Sequence, residues 1–522
     1  MSISRFLSSL AVTFLTIIGP ALPAVAQSVA SLDSRLSNPS LPAGASMGWR
    51  SDAMASDGDR VLLGAWSAAR AFLFERTSTG TWVLASEFAP PQSAPNFGIG
   101  VAIWGNEVVV GASHVNVGGL TQVGRAFVYR RNSDGQWPLV QVLESPAQAS
   151  YAWFGSSIAL SGDRMAIGTG GNASVAQLVA VYSRDASGQW APEANIVSPD
   201  LGVPDGGFAP QFGFPVRLAG DLLLTADCMR DLSGAVDAGR GYVFRRHGQG
   251  LWMLESRLDH PAPAANDGNV SDAGSAFIAI NVALGDSDAI VSFGGDDVGG
   301  NPDQGSAHVF VRSPAGAWTH QAALESGVGR AGDWMGWSTV RIVGNEALVG
   351  SVGWDGLDGA SQQIGRVCRF IRSGATWSES PAIVDPGGSA GDRFGSGLAY
   401  GGGFLCISAW GWSSGRGCGV VFGFGPDCDA NGTADPLDVV RGAPDSNANR
   451  IPDQCECDAF PWTPACCVGN LNDDAAVDGA DLGILLNAWG ACGSPCPADF
   501  NADGFVDGND LSPLLANWGS CP

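Results

Sequence analysis

Short apolar runs separated by turn residues recur along most of the 522-residue chain. The stretch from Asn96 to Leu143 shows the unit most clearly, with four runs at Phe97–Ile103, Val108–Ala112, Arg125–Arg130 and Trp137–Leu143. Their Val, Ile, Phe and Tyr content, and the Gly, Asn and Asp residues between them, predict four β-strands. One sheet of four short strands cannot bury both of its faces, so copies of the unit must stack on one another.

Six further copies of this unit are present, and they open near Gly48, Phe154, Phe212, Phe277, Met335 and Phe394. In the fifth copy, the first strand is placed at Phe277–Ile278. Six copies carry a tryptophan in the turn before the fourth run, and these recur every 53 to 66 residues, at Trp82, Trp137, Trp190, Trp252, Trp318 and Trp377. We expect each indole to pack between neighbouring sheets. A period of this length with four strands per copy predicts a mostly β fold, a seven-bladed β-propeller over residues 46–424.

The seventh copy lacks its fourth strand and its tryptophan. The segment Ser31–Leu36 resembles Leu254–Leu258, the fourth strand of the fourth copy. We therefore expect residues 27–45 to supply the missing strand of the last blade. That closure would leave the ring without an open sheet edge.

The repeats begin with Phe-Gly (Phe97-Gly98, Phe154-Gly155), end the second strand with Gly-Ala (Gly111-Ala112), and place Arg125–Tyr129 after a glycine in the third strand. In these features the unit resembles the FG-GAP repeat of the integrin α-chain propeller and of many secreted bacterial proteins. The resemblance implies a propeller that presents loops to a partner. Integrin-type repeats often carry a calcium loop between the first two strands. Here those turns are too short and too poor in oxygen ligands to hold Ca²⁺, as at Trp104–Glu107.

Residues 1–26 contain an apolar run that is followed by Ala24-Val25-Ala26. This pattern predicts a signal peptide and a secreted or cell-surface protein. No other apolar run reaches 18 residues, so no membrane span is expected. Export permits disulfides, and eight of the 12 cysteines lie in the last 97 residues. A net charge of −24 argues against nucleic acid or an anionic membrane as partner, and the chain contains no lysine for a Schiff base or a phosphate loop. We expect a monomer.

The acidic tail contains a calcium-loop pattern between Asp499 and Asp510. Oxygen side chains occupy loop positions 1, 3, 5, 9 and 12, the backbone carbonyl of position 7 completes the set, and the ligands are Asp499, Asn501, Asp503, Phe505, Asp507 and Asp510. Gly504 stands at position 6, where the sharp turn requires a positive φ. A helix is expected to follow, with Pro513 tolerated in its first turn.

The same pattern occurs 29 residues earlier, where the ligands are Asn470, Asn472, Asp474, Ala476 (through its carbonyl), Asp478 and Asp481. Ala475 replaces the glycine of position 6 and Asn470 replaces the first aspartate, so we expect weaker binding here. The alternative for both stretches is an Asx-rich turn without an ion. Two such loop–helix units over residues 466–522 resemble a dockerin domain, which implies two Ca²⁺ ions and a cohesin-like partner. Positions 10 and 11 depart from the Ser/Thr pairs of the best-known dockerins, since here they are Gly479-Ala480 and Gly508-Asn509.

Residues 425–465 connect the two regions. Asp427–Gly432 and Asp445–Asp453 resemble thrombospondin type-3-like calcium repeats, which would add further ions between Asp427 and Asp453. A flexible linker rich in Asp, Asn, Gly and Pro is the alternative.

No catalytic motif stands out in the sequence. The five histidines show neither i, i+4 pairing nor metal-ligand spacing with cysteine, and His308 is interpreted as a packed or rim residue of a strand. Loop carboxylates are found at Asp296, Asp297, Asp303, Asp355 and Asp358. They would cluster on one face of the ring, where paired acids can hydrolyse glycans.

These patterns predict a secreted, calcium-binding, non-enzymatic binding or adhesion protein. Its propeller would bind an extracellular protein or glycan, and its tail would attach it. The alternative is an extracellular polysaccharide-acting enzyme tethered by the dockerin-like tail.

Overall fold

A computed structural model describes residues 29–171, 178–200, 211–272, 275–285, 287–356 and 362–425, together with parts of the C-terminal region: 428, 433–440, 443, 452, 469–472, 476–492, 496–500 and 504–520. The predicted signal peptide lies outside these residues. The chain divides into two compact units, Ala30–Phe424 and a unit that contains Gly425–Pro522. No helix among the described residues is long and apolar enough to cross a membrane.

The first unit contains seven four-stranded sheets and is a seven-bladed β-propeller, as the repeats predict. Within blades one to six, consecutive strands pair in antiparallel register from the inner to the outer position.

The strands of blades one to three are β2 (Met54–Asp57), β3 (Arg60–Ala65), β4 (Arg70–Arg76), β5 (Trp82–Phe88); β6 (Phe97–Trp104), β7 (Glu107–Ala112), β8 (Arg125–Arg130), β9 (Leu139–Glu144); and β10 (Ser157–Ser161), β11 (Arg164–Gly168), β12 (Leu178–Arg184), β13 (Trp190–Val197).

Those of blades four to six are β14 (Val216–Ala219), β15 (Leu222–Asp227), β16 (Arg240–His247), β17 (Leu251–Asp259); β20 (Ile280–Leu284), β21 (Asp288–Phe293), β22 (Ser306–Arg312), β23 (Trp318–Leu324); and β24 (Met335–Val343), β25 (Glu346–Ser351), β26 (Arg366–Ser373), β27 (Thr376–Ile383). Short 3-10 helices occur at Ser51–Ala53, Trp66–Ala68 and Gly248–Gly250.

Blade seven is built from both ends of the propeller segment. Its sheet has the order β1 (Val29–Leu36), β30 (Cys418–Gly425), β29 (Phe404–Ala409) and β28 (Phe394–Gly401). The N-terminal strand thus occupies the outer position that the seventh repeat lacks. A one-turn helix, α1 (Trp412–Gly415), lies in the loop between β29 and β30.

Blade five departs from the predicted strand order. Phe277 lies in a separate hairpin of β18 (Asn269–Asp272) and β19 (Ser275–Ile278), where it pairs with Val270. The inner strand is β20, whose Ile280 pairs with Phe293. The placement of the first strand at Phe277–Ile278 is therefore wrong, because an apolar run predicts a strand but not its partner.

The Phe-Gly and Gly-Ala signatures meet at the junctions between blades. Gly98, at the start of β6, has a φ of +94°, and a Cβ there would lie 2.3 Å from the Arg70 carbonyl oxygen of blade one. A Cβ on Gly64, in β3, would lie 1.9 Å from the Gly98 carbonyl oxygen. Gly111 meets Gly155 in the same way at the next junction. Glycine is thus required at both places, because the two backbones touch.

The outer-strand tryptophans also reach the preceding blade, as expected. Trp82 packs edge-on against Phe404 of blade seven, with ring centroids 4.7 Å apart. The indole of Trp190 donates to Glu107 Oε2 of blade two at 3.1 Å, and that of Trp377 donates to Gln321 Oε1 of blade five at 3.0 Å. Each indole therefore joins two sheets.

The described residues of the C-terminal unit include the helices α2 (Asp435–Val440), α3 (Gly479–Asn487) and α4 (Gly508–Ala516), and the two-residue strands β31 (Ala476–Val477), β32 (Gly490–Ala491), β33 (Phe505–Val506) and β34 (Gly519–Ser520). β31 pairs with β34 and β32 with β33, so the two loop–helix segments are paired reciprocally. Val477, Leu485, Val506 and Leu514 are buried between them. A disulfide joins Cys492 to Cys496.

Candidate functional site

The inner strands of all seven blades line a central cavity of about 260 Å³. Most of its lining residues are apolar in type, as the inner strands of a repeated unit would predict. Three charged side chains interrupt that wall: Asp52, Arg217 and Arg341. Asp52 lies in the 3-10 helix before β2, whereas the two arginines lie in β14 and β24.

Asp52 is the centre of a polar network that crosses the cavity. The Ser157 hydroxyl donates to Asp52 Oδ1 at 2.6 Å, and Arg217 Nη1 donates to the same oxygen at 3.1 Å. Arg217 Nη2 donates to Ser51 Oγ at 2.8 Å and to Asn281 Oδ1 at 3.1 Å. Blades one, three, four and five are therefore connected through side chains rather than through strand pairing.

Arg341 is half-buried and has no carboxylate partner among the described residues. Its Nη2 donates to the Leu398 carbonyl oxygen at 3.0 Å. Burial and the neighbouring Arg217 cation lower the pKa of Arg341 to about 10. It still carries its charge at neutral pH, so the cavity wall holds two cations and one anion.

The position of Arg341 is unusual within the repeat. Arg341 pairs with Leu348, two residues before Gly350. The inner-strand residue in the same register is alanine in five other blades, at Ala55, Ala102, Ala159, Ala283 and Ala399. The sequence signal that could have revealed this site is an arginine in the register where five other blades have alanine.

A second cavity of about 180 Å³ lies beside Asp52 and is lined by aromatic residues, among them Trp49, Trp153 and Phe214. Arg50 also lines it, and its guanidinium carbon lies 5.2 Å from the Phe214 ring centroid and 5.5 Å from that of Trp337. Burial lowers the pKa of Arg50, although the Asp52 carboxylate opposes this effect. A further cation thus approaches the same carboxylate.

Of the loop carboxylates considered for glycan hydrolysis, Asp296, Asp297, Asp303 and Asp355 do not line the central cavity. Asp297 Oδ1 accepts a hydrogen bond from Asp303 N at 2.9 Å, and Asp355 Oδ1 accepts one from Gln363 N at 2.9 Å, so both shape their own loops. Asp358 lies outside the described residues. Asp296 instead turns towards His260, whose Nε2 is 3.4 Å from Asp296 Oδ2.

His260, Asp296 and His308 offer ligand atoms that all lie within 4.8 Å of one another. The interpretation of His308 as a packed strand residue therefore missed a cluster. Burial and the nearby His260 and His320 lower the pKa of His308 to about 3, so its ring is neutral at physiological pH. The sequence hides this cluster because its members come from two connections and a strand, at His260, Asp296 and His308, and follow no local spacing.

In the tail, the second predicted calcium loop is closed by its last ligand. Asp510 is fully buried, and its Oδ1 and Oδ2 accept hydrogen bonds from Phe500 N at 2.7 Å and Asp507 N at 2.9 Å. Asp499 Oδ2 accepts from Gly504 N at 2.8 Å, and Gly504 has the expected positive φ, at +88°. Asn501 and Asp503 lie outside the described residues.

The first loop has the same construction. Asp481, also fully buried, accepts from Leu471 N at 2.6 Å and Asp478 N at 2.8 Å. Asn470 is fully buried as well. Asp474 and most of the predicted thrombospondin-like segment lie outside the described residues. Asp478 and Asp507 each cap the following helix, because their Oδ1 atoms accept from Ala480 N and Asn509 N at 2.7 Å.

No protein-family model matches the chain, and no curated protein matches it in sequence. Among solved structures it is similar to the periplasmic gluconolactonase of Pseudomonas aeruginosa, with 12% identity and a TM-score of 0.42 over 76% of this chain and 96% of that one. A Bacteroides fragilis protein whose name suggests a 6-phosphogluconolactonase gives 11% identity and a TM-score of 0.39 over 73% and 93%. A Lactobacillus plantarum protein gives 12% identity and a TM-score of 0.38 over 64% of this chain and 85% of that one. At this level the likeness concerns the fold alone.

The comparison corrects the predicted function. A non-enzymatic binding or adhesion protein was inferred from a propeller that lacks a catalytic motif. Structural neighbours with the propeller architecture include proteins named as lactonases. The prediction that the chain is not an enzyme is therefore wrong. It assumed that a propeller without a recognisable catalytic motif has no activity, and the propeller fold gives no ground for excluding catalysis.

Proposed function

We propose that this protein binds a small organic anion, a carboxylate or a phosphate ester, in the central cavity of the propeller. The observation that carries the proposal is the charge of the cavity wall. Two guanidinium groups share it with one carboxylate, in a chain whose net charge is −24.

A desolvated cation without a counter-charge raises the free energy of the folded state. The chain nevertheless places Arg341 where five other blades have alanine. Asp52 is already engaged by Arg217 and Ser157, so it does not neutralise Arg341 as well. A bound anion would supply the missing charge and accept the guanidinium donors, which suit planar carboxylates and phosphates.

The residues have separate roles in this proposal. Arg341 and Arg217 hold the anion, and Ser51 and Asn281 fix the Arg217 guanidinium. Asp52 is the carboxylate of the cavity wall and is the group that can exchange a proton with a bound ligand. Chemistry on the anion, where it occurs, would therefore depend on Asp52.

The test uses the full-length chain and isothermal titration against a panel of sugar acids, their lactones, dicarboxylates, sugar phosphates and inorganic phosphate. We expect at least one member to bind, and Arg341→Gln to weaken its affinity at least tenfold. Arg70→Gln, an exposed arginine of blade one, should leave the affinity unchanged. The proposal is refuted if no anion binds, or if both variants bind like the wild type.

Turnover is measured separately by following bound ligands by NMR. Asp52→Asn should abolish any chemical change while binding persists. Turnover that continues in this variant would remove Asp52 from the proposed chemistry.

We also infer that the C-terminal unit binds two Ca²⁺ ions. Asp481 and Asp510 are fully buried carboxylates, and residues 451–522 contain no arginine, lysine or histidine to balance them. Each of these aspartates is the twelfth residue of its loop, and its hydrogen bonds join it to the backbone N–H groups of the second and ninth residues. Oxygen donors in this arrangement fit Ca²⁺, which would supply the counter-charge. The dockerin-like assignment, with a cohesin-like partner, extends this proposal.

Calcium titration of the full-length chain should show two equivalents bound. Asp510→Ala should remove one of them, whereas Asn470→Ala should weaken the other by a smaller factor. Glu87→Gln, in the propeller, serves as the matched acidic control. An unchanged titration in Asp510→Ala would contradict the assignment.

The repeats themselves support the FG-GAP assignment. In that motif the glycines of Phe-Gly and Gly-Ala would be required, because their backbones touch across each junction between blades, as those of Gly98 and Gly64 do. Secretion through residues 1–26 is part of the same proposal. Recovery of the chain in its host's extracellular fraction, lost on deletion of residues 1–26, would test it.

A further inference from the structure

We propose that His260, Asp296 and His308 form a binding site for a divalent transition-metal ion, Zn²⁺ foremost, at the junction of blades four and five. His260 follows β17, Asp296 follows β21, and His308 lies in β22. Two imidazoles and one carboxylate are a ligand set that zinc and similar ions use in proteins. None of its residues lines the central cavity or belongs to the predicted calcium loops of the tail.

The distances suit such an ion. With metal–ligand bonds of about 2.0–2.1 Å, tetrahedral ligand atoms stand about 3.3 Å apart. His260 Nε2 and Asp296 Oδ2 are 3.4 Å apart, and all three ligand atoms lie within 4.8 Å of one another. A small rotation of the His308 ring, whose centroid is 4.2 Å from that of His260, would complete three-fold coordination.

A second observation points to a missing ligand. His260 is 8% exposed, and its Nε2 has no hydrogen-bond partner of acceptable geometry among the described residues. Buried polar nitrogens are normally satisfied, because an unmade hydrogen bond costs about 1–3 kcal/mol. This nitrogen is aimed at Asp296, into the space between the three side chains.

The surroundings provide the outer contacts that metal-binding histidines usually have. His260 Nδ1 accepts a hydrogen bond from Ala262 N at 3.2 Å. Metal binding through His260 Nε2 would move the ring proton to Nδ1, so this nitrogen would exchange the Ala262 donor for the Asp267 carboxylate, whose Oδ2 is 3.9 Å away. His308 Nε2 lies 3.1 Å from Ser306 Oγ, and His308 Nδ1 lies 3.1 Å from His320 Nε2. One ring nitrogen of His308 can therefore bind metal while the other keeps a partner. His320 is exposed and leaves room for a water molecule as a fourth ligand.

The chemistry of the set separates it from the tail. The tail loops offer oxygen atoms alone, which favour Ca²⁺, whereas imidazole nitrogen favours zinc, cobalt or nickel. Binding would also fasten the long connection between β17 and β20, which carries the additional hairpin β18–β19, onto blade five.

The experiment titrates the full-length, chelator-treated chain with Co²⁺ in the presence of excess Ca²⁺, which keeps the tail loops occupied. We expect one equivalent to bind and to give the intense visible absorption of low-coordinate Co²⁺, displaced by Zn²⁺. His260→Ala and the isosteric Asp296→Asn should each weaken binding at least tenfold. Zn²⁺ should raise the midpoint of thermal unfolding of the wild type but not of these two variants.

His247→Ala, an exposed histidine at the end of β16, is the matched control and should bind like the wild type. Asp510→Ala distinguishes the tail, because it should leave the Co²⁺ spectrum unchanged. Circular dichroism establishes that each variant is folded. If His260→Ala does not fold, the isosteric Asp296→Asn still decides the test. The proposal is overturned if the wild type gives no such spectrum, or if Asp296→Asn retains it.

Discussion

Arg217 of blade four and Asp52 of blade one meet across the central cavity, with Arg217 Nη1 3.1 Å from Asp52 Oδ1. The two blades are not neighbours in the ring, so this ion pair is a direct link through its centre. Asp52 is almost fully buried, whereas the Arg217 side chain retains 19% of its exposure. The pair therefore contributes both to the closure of the ring and to the charge of the cavity.

Asp52→Asn should destabilise the protein by about 2–4 kcal/mol, because it leaves a largely buried arginine without its counter-charge. Urea unfolding measures this difference. Glu87→Gln removes one partner of the exposed Arg70–Glu87 pair and should change stability by less than about 1 kcal/mol. An equal loss of unfolding free energy in the two variants would show that the Asp52–Arg217 pair stabilises the protein no more than an exposed ion pair does.

Arg341→Leu should raise the free energy of unfolding by about 1 kcal/mol or more. The substitution removes a desolvated cation whose pKa is already lowered to about 10, and it adds apolar surface to an apolar wall. The variant should at the same time lose anion binding. A less stable Arg341→Leu protein would mean that Arg341 is retained for packing and not for a ligand.

Asp200 should make stability depend on pH in the acid range. Burial alone would raise the pKa of Asp200, but hydrogen bonds from Arg257, Arg240 and Tyr242 outweigh it and lower the pKa from 3.8 to about 2. A carboxyl group with a lowered folded-state pKa stabilises the protein above its unfolded-state pKa, and this contribution disappears as pH falls towards 2.

Comparison of the wild type with Asp200→Asn isolates this group from the other carboxylates. The difference in unfolding free energy should be constant above about pH 4 and shrink between pH 4 and pH 2. A difference that does not change with pH would assign the effect of Asp200 to packing.

Gly98→Ala should destabilise the protein by about 3 kcal/mol or more, since a Cβ would meet the Arg70 carbonyl oxygen at 2.3 Å and the φ of +94° disfavours alanine. Gly105→Ala is the matched control, because Gly105 also has a positive φ, +55°, but a Cβ there has open space within 4 Å. The free energy of unfolding of Gly105→Ala should fall by only about 1 kcal/mol. Thermal and urea unfolding of the two variants separate backbone contact from backbone strain.

Much of the propeller could be predicted from the repeats. The period of the apolar runs, the outer-strand tryptophans and the echo of a fourth strand at Ser31–Leu36 lead to seven four-stranded sheets with an N-terminal closing strand. These are local signals that recur, so each copy supports the others. Blade five shows the limit: the apolar run at Phe277 forms a strand, but its partner was decided by the hairpin that it makes with Val270.

The candidate sites were less accessible from the sequence. The predicted calcium ligands of the tail follow a local spacing, and in the structure Asp481 and Asp510 accept hydrogen bonds from the backbone of their own loops. Arg341 could have been found as an arginine at an alanine position of the repeat. The cluster of His260, Asp296 and His308 gave no such signal, because its residues follow no ligand spacing and are brought together from two blades.

The sequence alone thus determined the repeated unit, the number of blades and the loops of the acidic tail, because strand periodicity and ligand spacing are properties of neighbouring residues. Only the tertiary structure decided which charges face one another. Closing seven sheets into a ring brings Asp52 to Arg217 and His260 to His308. Such contacts depend on the register and rotation of whole blades, which no local pattern specifies.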